Sequence, residues 1–182
     1  MKLRIFLEGK CSPAEAIARL LLLCLLWPLG FHGAEARAQG SGVSEYEVKA
    51  AFLVKFPGFV KWPSASGASI TVGILGDDPF GGALDKLTRV KRSRRAEDLK
   101  GCPIVFVSKS EQANLGAVLA SLGRANVLTV GESAEFAKQG GMIGFVMNGD
   151  KVRFEVNTRA ARQAGLVIDV GLLKLAQRVF SE

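Results

Sequence analysis

"ITVGILGDDPF" (residues 70–80) is the stretch on which the fold of this chain turns. Its opening run, Ile70 to Leu75, is nearly continuous apolar sequence, too short for a helix of ordinary length and closed by turn residues. Such a run without polar alternation reads as a strand buried on both faces, the pattern of a parallel sheet covered by helices. The "GDDP" that follows reads as a turn into a helix, with Asp78 as N-cap and Pro79 at the first helical position.

The downstream sequence repeats this logic. Pro103 leads into "IVFVS" (104–108), a second buried strand, and "NVLTV" (126–130) is a third. Between them Glu111 to Leu122 is expected to be a helix with Leu115, Val118, Leu119 and Leu122 on one side. Ser133 is placed to cap a short helix reaching Lys138. Gly140-Gly141 then breaks the chain into "MIGFVM" (142–147) and "VRFEV" (152–156), which flank Asn148-Gly149-Asp150. Asn-Gly between two such runs predicts a hairpin. Val152, Phe154 and Val156 alternate with Arg153 and Glu155, which leaves one face wet. Thr158 is placed to cap a helix ending at Gly165, and "VGLLKLAQRVF" (170–180) reads as a last amphipathic helix. Residues 88–100 are charged and are expected to form a basic loop rather than a strand. The sum is an α/β single-domain sandwich: a mixed, mostly parallel sheet with a C-terminal antiparallel hairpin and helices on both faces.

Upstream lies "EYEVKAAFLVKFPGFVKWP" (45–63), read as a helix from Glu45 with an i,i+4 pair between Glu45 and Lys49. Helical winding gathers Val48, Phe52, Phe56, Phe59 and Trp62 on one side, with Lys55 in the middle of them. Pro57-Gly58 opposes continuation. Two readings stand. Either the helix stops near Phe56 and Lys55 snorkels from the rim, or the aromatic surplus forms an exposed patch for a partner or a second copy. Phe52, Lys55, Phe56, Phe59 and Trp62 are therefore a candidate partner or dimer surface.

Residues 1–38 read as a signal peptide. A basic lead-in precedes the apolar run Leu20–Leu29, and Ala36-Arg37-Ala38 supplies an A-x-A site. The run is half the length a spanning helix needs, although an uncleaved anchor is the competing reading. Residues 39–44 are a flexible lead, and 45–182 form the domain, expected in the periplasm. The leader carries five of the 24 Lys/Arg and three of the 17 Asp/Glu, so the remaining 144 residues have a net charge of +5. The only histidine, His32, lies in the leader, as do Cys11 and Cys24, leaving Cys102 alone. After cleavage a Ser-His-Asp triad, a Cys-His pair, a His-ligated zinc site and an intrachain disulfide are closed.

Three further features have a functional reading beside a plainer one. Asp77, Asp78 and Phe80 follow a buried strand, where α/β folds place ligands; they form a candidate ligand pocket, or Asp78 simply caps and Asp77 is solvated. Arg89, Lys91, Arg92, Arg94 and Arg95 put five cations in seven residues, a candidate anion-binding loop for phosphate, an anionic glycan or an acidic partner. No aromatic residues interleave, which argues against nucleic acid. Cys102 is either a small buried hydrophobe or the site of a disulfide between chains. Neither G-x-G-x-x-G nor G-x-x-x-x-G-K-[ST] occurs, so no cofactor is expected, and only carboxylate chemistry would be left to an enzyme.

From Glu45 to Val179 the chain resembles the YfiR-like family of bacterial periplasmic regulators. The resemblance is carried by "EYEVKAAFLVKFPGFVKWP", "ILGDDPFGGALDKL", "LKGCPIVFVS", "VLTVGESAEFAKQGGMIGFV" and "VRFEVNTRAARQAGLVIDVGLLKLAQRV". It implies a non-enzymatic protein, often dimeric, that represses an inner-membrane diguanylate cyclase through its periplasmic sensor portion. Cyclic-di-GMP and biofilm formation fall as a result, and stress or an outer-membrane sequestering partner relieves the repression. Family members often carry a cysteine near Gly73 able to pair with the one matching Cys102; glycine stands there in this chain. The family also has a further strand before Cys102, where this chain is expected to keep only the basic loop. The alternative function is a periplasmic small-ligand or anion-binding sensory module with no cyclase partner.

Overall fold

The computed structural model describes residues 43–63, 70–123 and 125–181. The expected signal peptide, the first residues of the flexible lead and the polar loop after Pro63 lie outside them. The chain opens with helix α1 (Glu45–Lys55), whose start is a capping box. Ser44 Oγ accepts from the Glu47 N–H (3.2 Å), and Glu47 Oε2 accepts from the Ser44 N–H (2.7 Å). The helix stops at Lys55 and tightens into a 3-10 turn, Phe56–Phe59, where Pro57 has no N–H to offer. Strand β1 (Val60–Lys61) follows.

The main sheet is built from β2 (Thr71–Leu75), β3 (Arg89–Ser93), β4 (Ile104–Val107), β5 (Leu128–Gly131), β6 (Ile143–Asn148), β7 (Lys151–Asn157) and β9 (Arg178–Phe180). Its order is β3-β2-β4-β5-β6-β7-β9. The first five strands in that order run parallel, β6 and β7 form an antiparallel hairpin, and β9 lies parallel to β7. This is the mixed, mostly parallel α/β sheet expected, and its parallel part has a doubly wound order, in which β3 is added on one side of β2 and β4 and β5 on the other. A second, two-stranded sheet pairs β1 with β8 (Val167–Ile168) in antiparallel fashion.

One face of the main sheet presents Val72, Ile74, Ile104, Phe106, Val130, Ile143, Phe145, Phe154 and Val156 to α1 and to α3 (Thr158–Gln163). The other presents Val105 and Val107 to Leu115, Val118 and Leu122 of α2 (Leu115–Leu122). Phe136 also packs on this second face. A Cβ on Gly131 or Gly141 would come within 2.3 Å or 2.1 Å of its ring, so the two glycines make the slot it occupies.

Several local expectations change. No helix follows Pro79: residues 81–87 are turns, because Gly81 and Gly82 both take positive φ (55° and 85°). Ser133 begins a run of turns in which Glu135 has φ 55°, so the helix to Lys138 is absent. Only Leu115–Leu122 of the stretch from Glu111 is α-helical, and a 3-10 segment, Lys109–Asn114, precedes it. Asn157, not Thr158, caps α3, accepting from the Ala160 N–H at 2.9 Å. The last amphipathic helix is one turn, α4 (Val170–Leu173), after which the chain extends into β9. The basic loop is strand β3. It tolerates its charges because it is an outermost strand, with only Val90 turned onto the core.

Candidate functional site

The buried face of α1 is not the one with Lys55 at its centre. Lys49, Ala50 and Leu53 are buried in the helix, Phe56 is buried just beyond it, and Lys55 is exposed. Lys49, Leu53 and Phe56 lie at i, i+4 and i+7, the spacing of one helical stripe. The aromatic surplus divides accordingly. Phe52 and Phe56 stack on each other (ring centroids 5.7 Å apart) and both meet Phe154 edge-on at 5.6 and 5.3 Å. They are core rather than surface. Trp62 is half-buried, with its indole N–H donating to the Asn126 carbonyl at 3.0 Å. Phe59 faces outward.

Burial of Lys49 brings together residues that the sequence had kept apart. Its Nζ lies 2.6 Å from Glu132 Oε2 and 2.5 Å from Glu45 Oε1, and 4.6 Å from the centre of the Tyr46 ring. Glu132 stands directly after β5, at the carboxyl ends of the parallel strands, so α1 is tied across the edge where doubly wound folds place ligands. Tyr46 extends the contact to Phe80, whose buried ring it meets edge-on at 5.7 Å, and Phe80 in turn packs on Phe106 at 4.9 Å. Burial alone would lower the Lys49 pKa, but its hydrogen bonds and attraction to Glu132 and Glu45 outweigh that and raise it. The Tyr46 hydroxyl is pushed up too, by burial first and then by Glu132. Lys49 is thus a fixed cation near neutral pH, suited to holding structure rather than to nucleophilic or base chemistry.

Both shifts have the same sign for stability. A group whose pKa is raised on folding contributes fully below its unfolded-state pKa and loses that contribution as pH rises through the folded value. Unfolding free energy should therefore hold through neutral pH and begin to fall above about pH 10. Urea midpoints across that range check this. A variant with Lys49→Met and Glu132→Leu should decline less steeply, and an equal decline would remove Lys49 from the explanation.

The other predicted residues are also engaged. Asp78 Oδ1 accepts the Phe80 N–H at 2.8 Å, and its Oδ2 pairs with Arg92 Nε at 2.7 Å. Arg92 bridges to Asp85 as well, which lowers the Asp85 pKa chiefly through that hydrogen bond and raises that of Arg92. Asp77, largely exposed, pairs with Arg94 at 2.8 Å. The acidic pair and the basic segment thus meet each other across β2 and β3, with Phe80 in the core behind them. Cys102 is buried and its thiol is pushed up by burial, which disfavours the reactive thiolate.

What faces outward near α1 is a patch around the small sheet. Phe59 is 36% exposed, Val167 56% and Val170 62%. The Asp169 N–H donates to the Phe59 carbonyl at 2.8 Å, and the Phe59 ring lies over Gly171 of α4. Lys61 pairs with Val167 across β1 and β8. Sequence reasoning found Phe59 and Lys55 and reached Val170 only as part of the last helix, an alternative partner surface; Val167, between Gly165 and that helix, it left unassigned.

No curated protein sequence matches this chain. Among solved structures, a conserved domain protein from Vibrio cholerae O1 biovar El Tor superposes with a TM-score of 0.53 at 11% identity, covering 75% of this chain. The ABC domain from Streptococcus pneumoniae, solved in complex with L-Trp, superposes with a TM-score of 0.53 at 11% identity over 74% of this chain. The matched region spans 60% of the length of each of those structures, and the likeness is one of fold. No helix among the described residues is long and apolar enough to cross a membrane. The model of the YfiR/HmsC-like family matches residues 46–177, from the second residue of α1 to the threshold of β9, and the chain belongs to this family of periplasmic regulatory proteins.

Proposed function

We propose that this chain, exported by residues 1–38, represses an inner-membrane diguanylate cyclase by binding its periplasmic sensor portion, and so lowers cyclic-di-GMP and holds back biofilm formation. The family match over residues 46–177 carries the reading. The exposed patch of Phe59, Val167 and Val170, with Lys61 paired beside Val167, supplies a surface of the kind a binding protein needs. A homodimer and an outer-membrane sequestering protein are the further partners this reading includes.

The test is intracellular cyclic-di-GMP in a clean deletion. A rise is expected, reversed by the full chain and not by a copy lacking residues 1–38. A Phe59→Asp copy should stay folded at a cost of about 1–2 kcal/mol, since the ring is 36% exposed and the rest of it is covered, yet fail to restore repression. Full repression by the folded Phe59→Asp protein would remove the patch from the interface, and unchanged cyclic-di-GMP on deletion would remove the cyclase.

The alternative, a small-ligand or anion-binding sensory module, draws its support from the sheet order, whose switch point at β2 is where doubly wound folds bind ligands. Tyr46, Phe80 and the Asp–Arg pairs occupy that edge. A thermal-shift screen that raises the melting temperature with a small anion would revive it.

A further inference from the structure

Strand β3 is hydrogen-bonded to the sheet along one edge only. The Ser93 carbonyl accepts from the Gly76 N–H at 3.1 Å, so Ser93 turns its backbone groups toward β2. In a parallel ladder, alternate residues send both backbone groups to the same neighbour. Arg89, Lys91 and Ser93 therefore bond β2, and Val90 and Arg92 turn their N–H and C=O groups to the open edge. The side chains alternate as well. Val90 packs on the core and Arg92 is held by Asp78 and Asp85, which fastens the strand in place. Arg89 and Lys91 stand on the opposite face. Among the described residues Arg89 and Arg95 have no carboxylate partner, Arg94 pairs with the exposed Asp77, and the Lys91 ammonium donates to the backbone carbonyl of Asp98. The Asp98 carboxylate is turned to the Ser93 hydroxyl at 2.8 Å.

An open edge is a template for another strand, and its charges choose which one. A second copy of β3 would set arginine and lysine opposite arginine and lysine, and like charges directly opposite destabilise a pair. An acidic strand would meet opposite charge at the same positions. We propose that β3 is an acceptor edge for strand addition by an acidic, extended segment of a partner protein. The backbone of that segment bonds Val90 and Arg92, and its carboxylates meet Arg89, Lys91 and Arg95. The proposal rests on the reading of the chain as a binding protein, but not on which protein it binds.

Two synthetic peptides of ten residues test it, one alternating Glu and Thr and the other Lys and Thr, each added to the purified exported chain at low salt. The acidic peptide should bind saturably, weaken as salt is added, and slow hydrogen exchange at the Val90 and Arg92 amides but not at β9. Val90→Pro removes an outward N–H while sparing the bonds to β2, and should abolish binding in a protein of unchanged circular dichroism. Arg89→Glu combined with Lys91→Glu should weaken binding by about tenfold or more, which keeps the test decisive if the proline variant fails to fold. Equal binding of the lysine peptide, binding without protection at Val90 and Arg92, undiminished binding by folded Val90→Pro, or no binding of the acidic peptide would each overturn the proposal. None of those results bears on whether deletion of the gene raises cyclic-di-GMP, so the edge and the cyclase reading fail separately.

Discussion

Glu132→Ala is expected to lower the free energy of unfolding by about 3–5 kcal/mol, the usual consequence of breaking a buried ion pair from one side. The Lys49 side chain is 5% exposed and that of Glu132 9%, whereas that of Glu45 is 40% exposed. Without Glu132 the ammonium keeps only a partner that water already screens, and it loses one of the two carboxylates whose hydrogen bonds hold its pKa up against burial. The cost comes from the charge left behind rather than from the worth of the pair. Replacing both partners with apolar residues, Lys49→Met and Glu132→Leu, should therefore recover most of the loss. Urea unfolding of the parent, the single variants and the double variant measures this directly. A loss below about 1 kcal/mol for Glu132→Ala would mean that the pair is solvated in practice. The tie of α1 to the strand ends would then be one of packing alone.

The same lysine shows where the sequence was legible and where it was not. Buried parallel strands announce themselves, because Ile70–Leu75 and Ile104–Val107 have no wet face to advertise, and the hairpin between β6 and β7 forms where Asn-Gly signals it, although its two turn residues are Gly149-Asp150, with Asn148 paired to Lys151 as the last residue of β6. Helix α1 was recognisable as a helix, but its phase was misread by about one residue, or roughly 100°. That phase comes from winding Phe59 and Trp62 on as helical residues, whereas the other reading, a stop near Phe56 with Lys55 at the rim, is the one that holds: the helix ends at Lys55 and the chain tightens at Phe56–Phe59. Lys49 at i, i+4, i+7 with Leu53 and Phe56 was the available signal, hidden by a surface-like pairing with Glu45. Strand β3 was illegible for a different reason. An edge strand touches the core at one residue, Val90, and nothing in "RVKRS" alternates enough to show it. The family resembled has a strand before Cys102 that this chain was expected to lack, and β3 shows that it keeps one. Likewise β9 exists because the edge of β7 is open to it, a tertiary cause that the pattern of residues 170–180 does not carry.

Gly73→Cys is expected to form a disulfide with Cys102 once the chain reaches an oxidising compartment. A Cβ built on Gly73 lies 3.4 Å from the Cys102 Cβ, at the short end of the range of about 3.5–4.5 Å that disulfides span. With 28 residues between the two positions, closing the loop in the unfolded chain is worth roughly 3–4 kcal/mol in the entropic treatment. Crowding opposes part of that gain. The new Cβ would also sit 3.1 Å from Val105 Cγ2 and 3.2 Å from Leu99 Cδ2, both of which must give by a few tenths of an ångström. The reduced variant should accordingly be less stable than the parent, by about 1 kcal/mol if the neighbours shift easily, and the oxidised variant more stable by about 2 kcal/mol. Thiol titration of the exported protein, followed by urea unfolding with and without reductant, reads both signs. Two titratable thiols in the folded, exported variant would show that the backbone at Gly73 and Cys102 does not present their Cβ atoms to each other. That outcome would also undo the alignment of Gly73 with the cysteine position that the family resemblance implies. Formation of the bond would give Cys102 a definite place in the fold, as half of a clamp between β2 and the entrance to β4 whose other half is glycine in this chain.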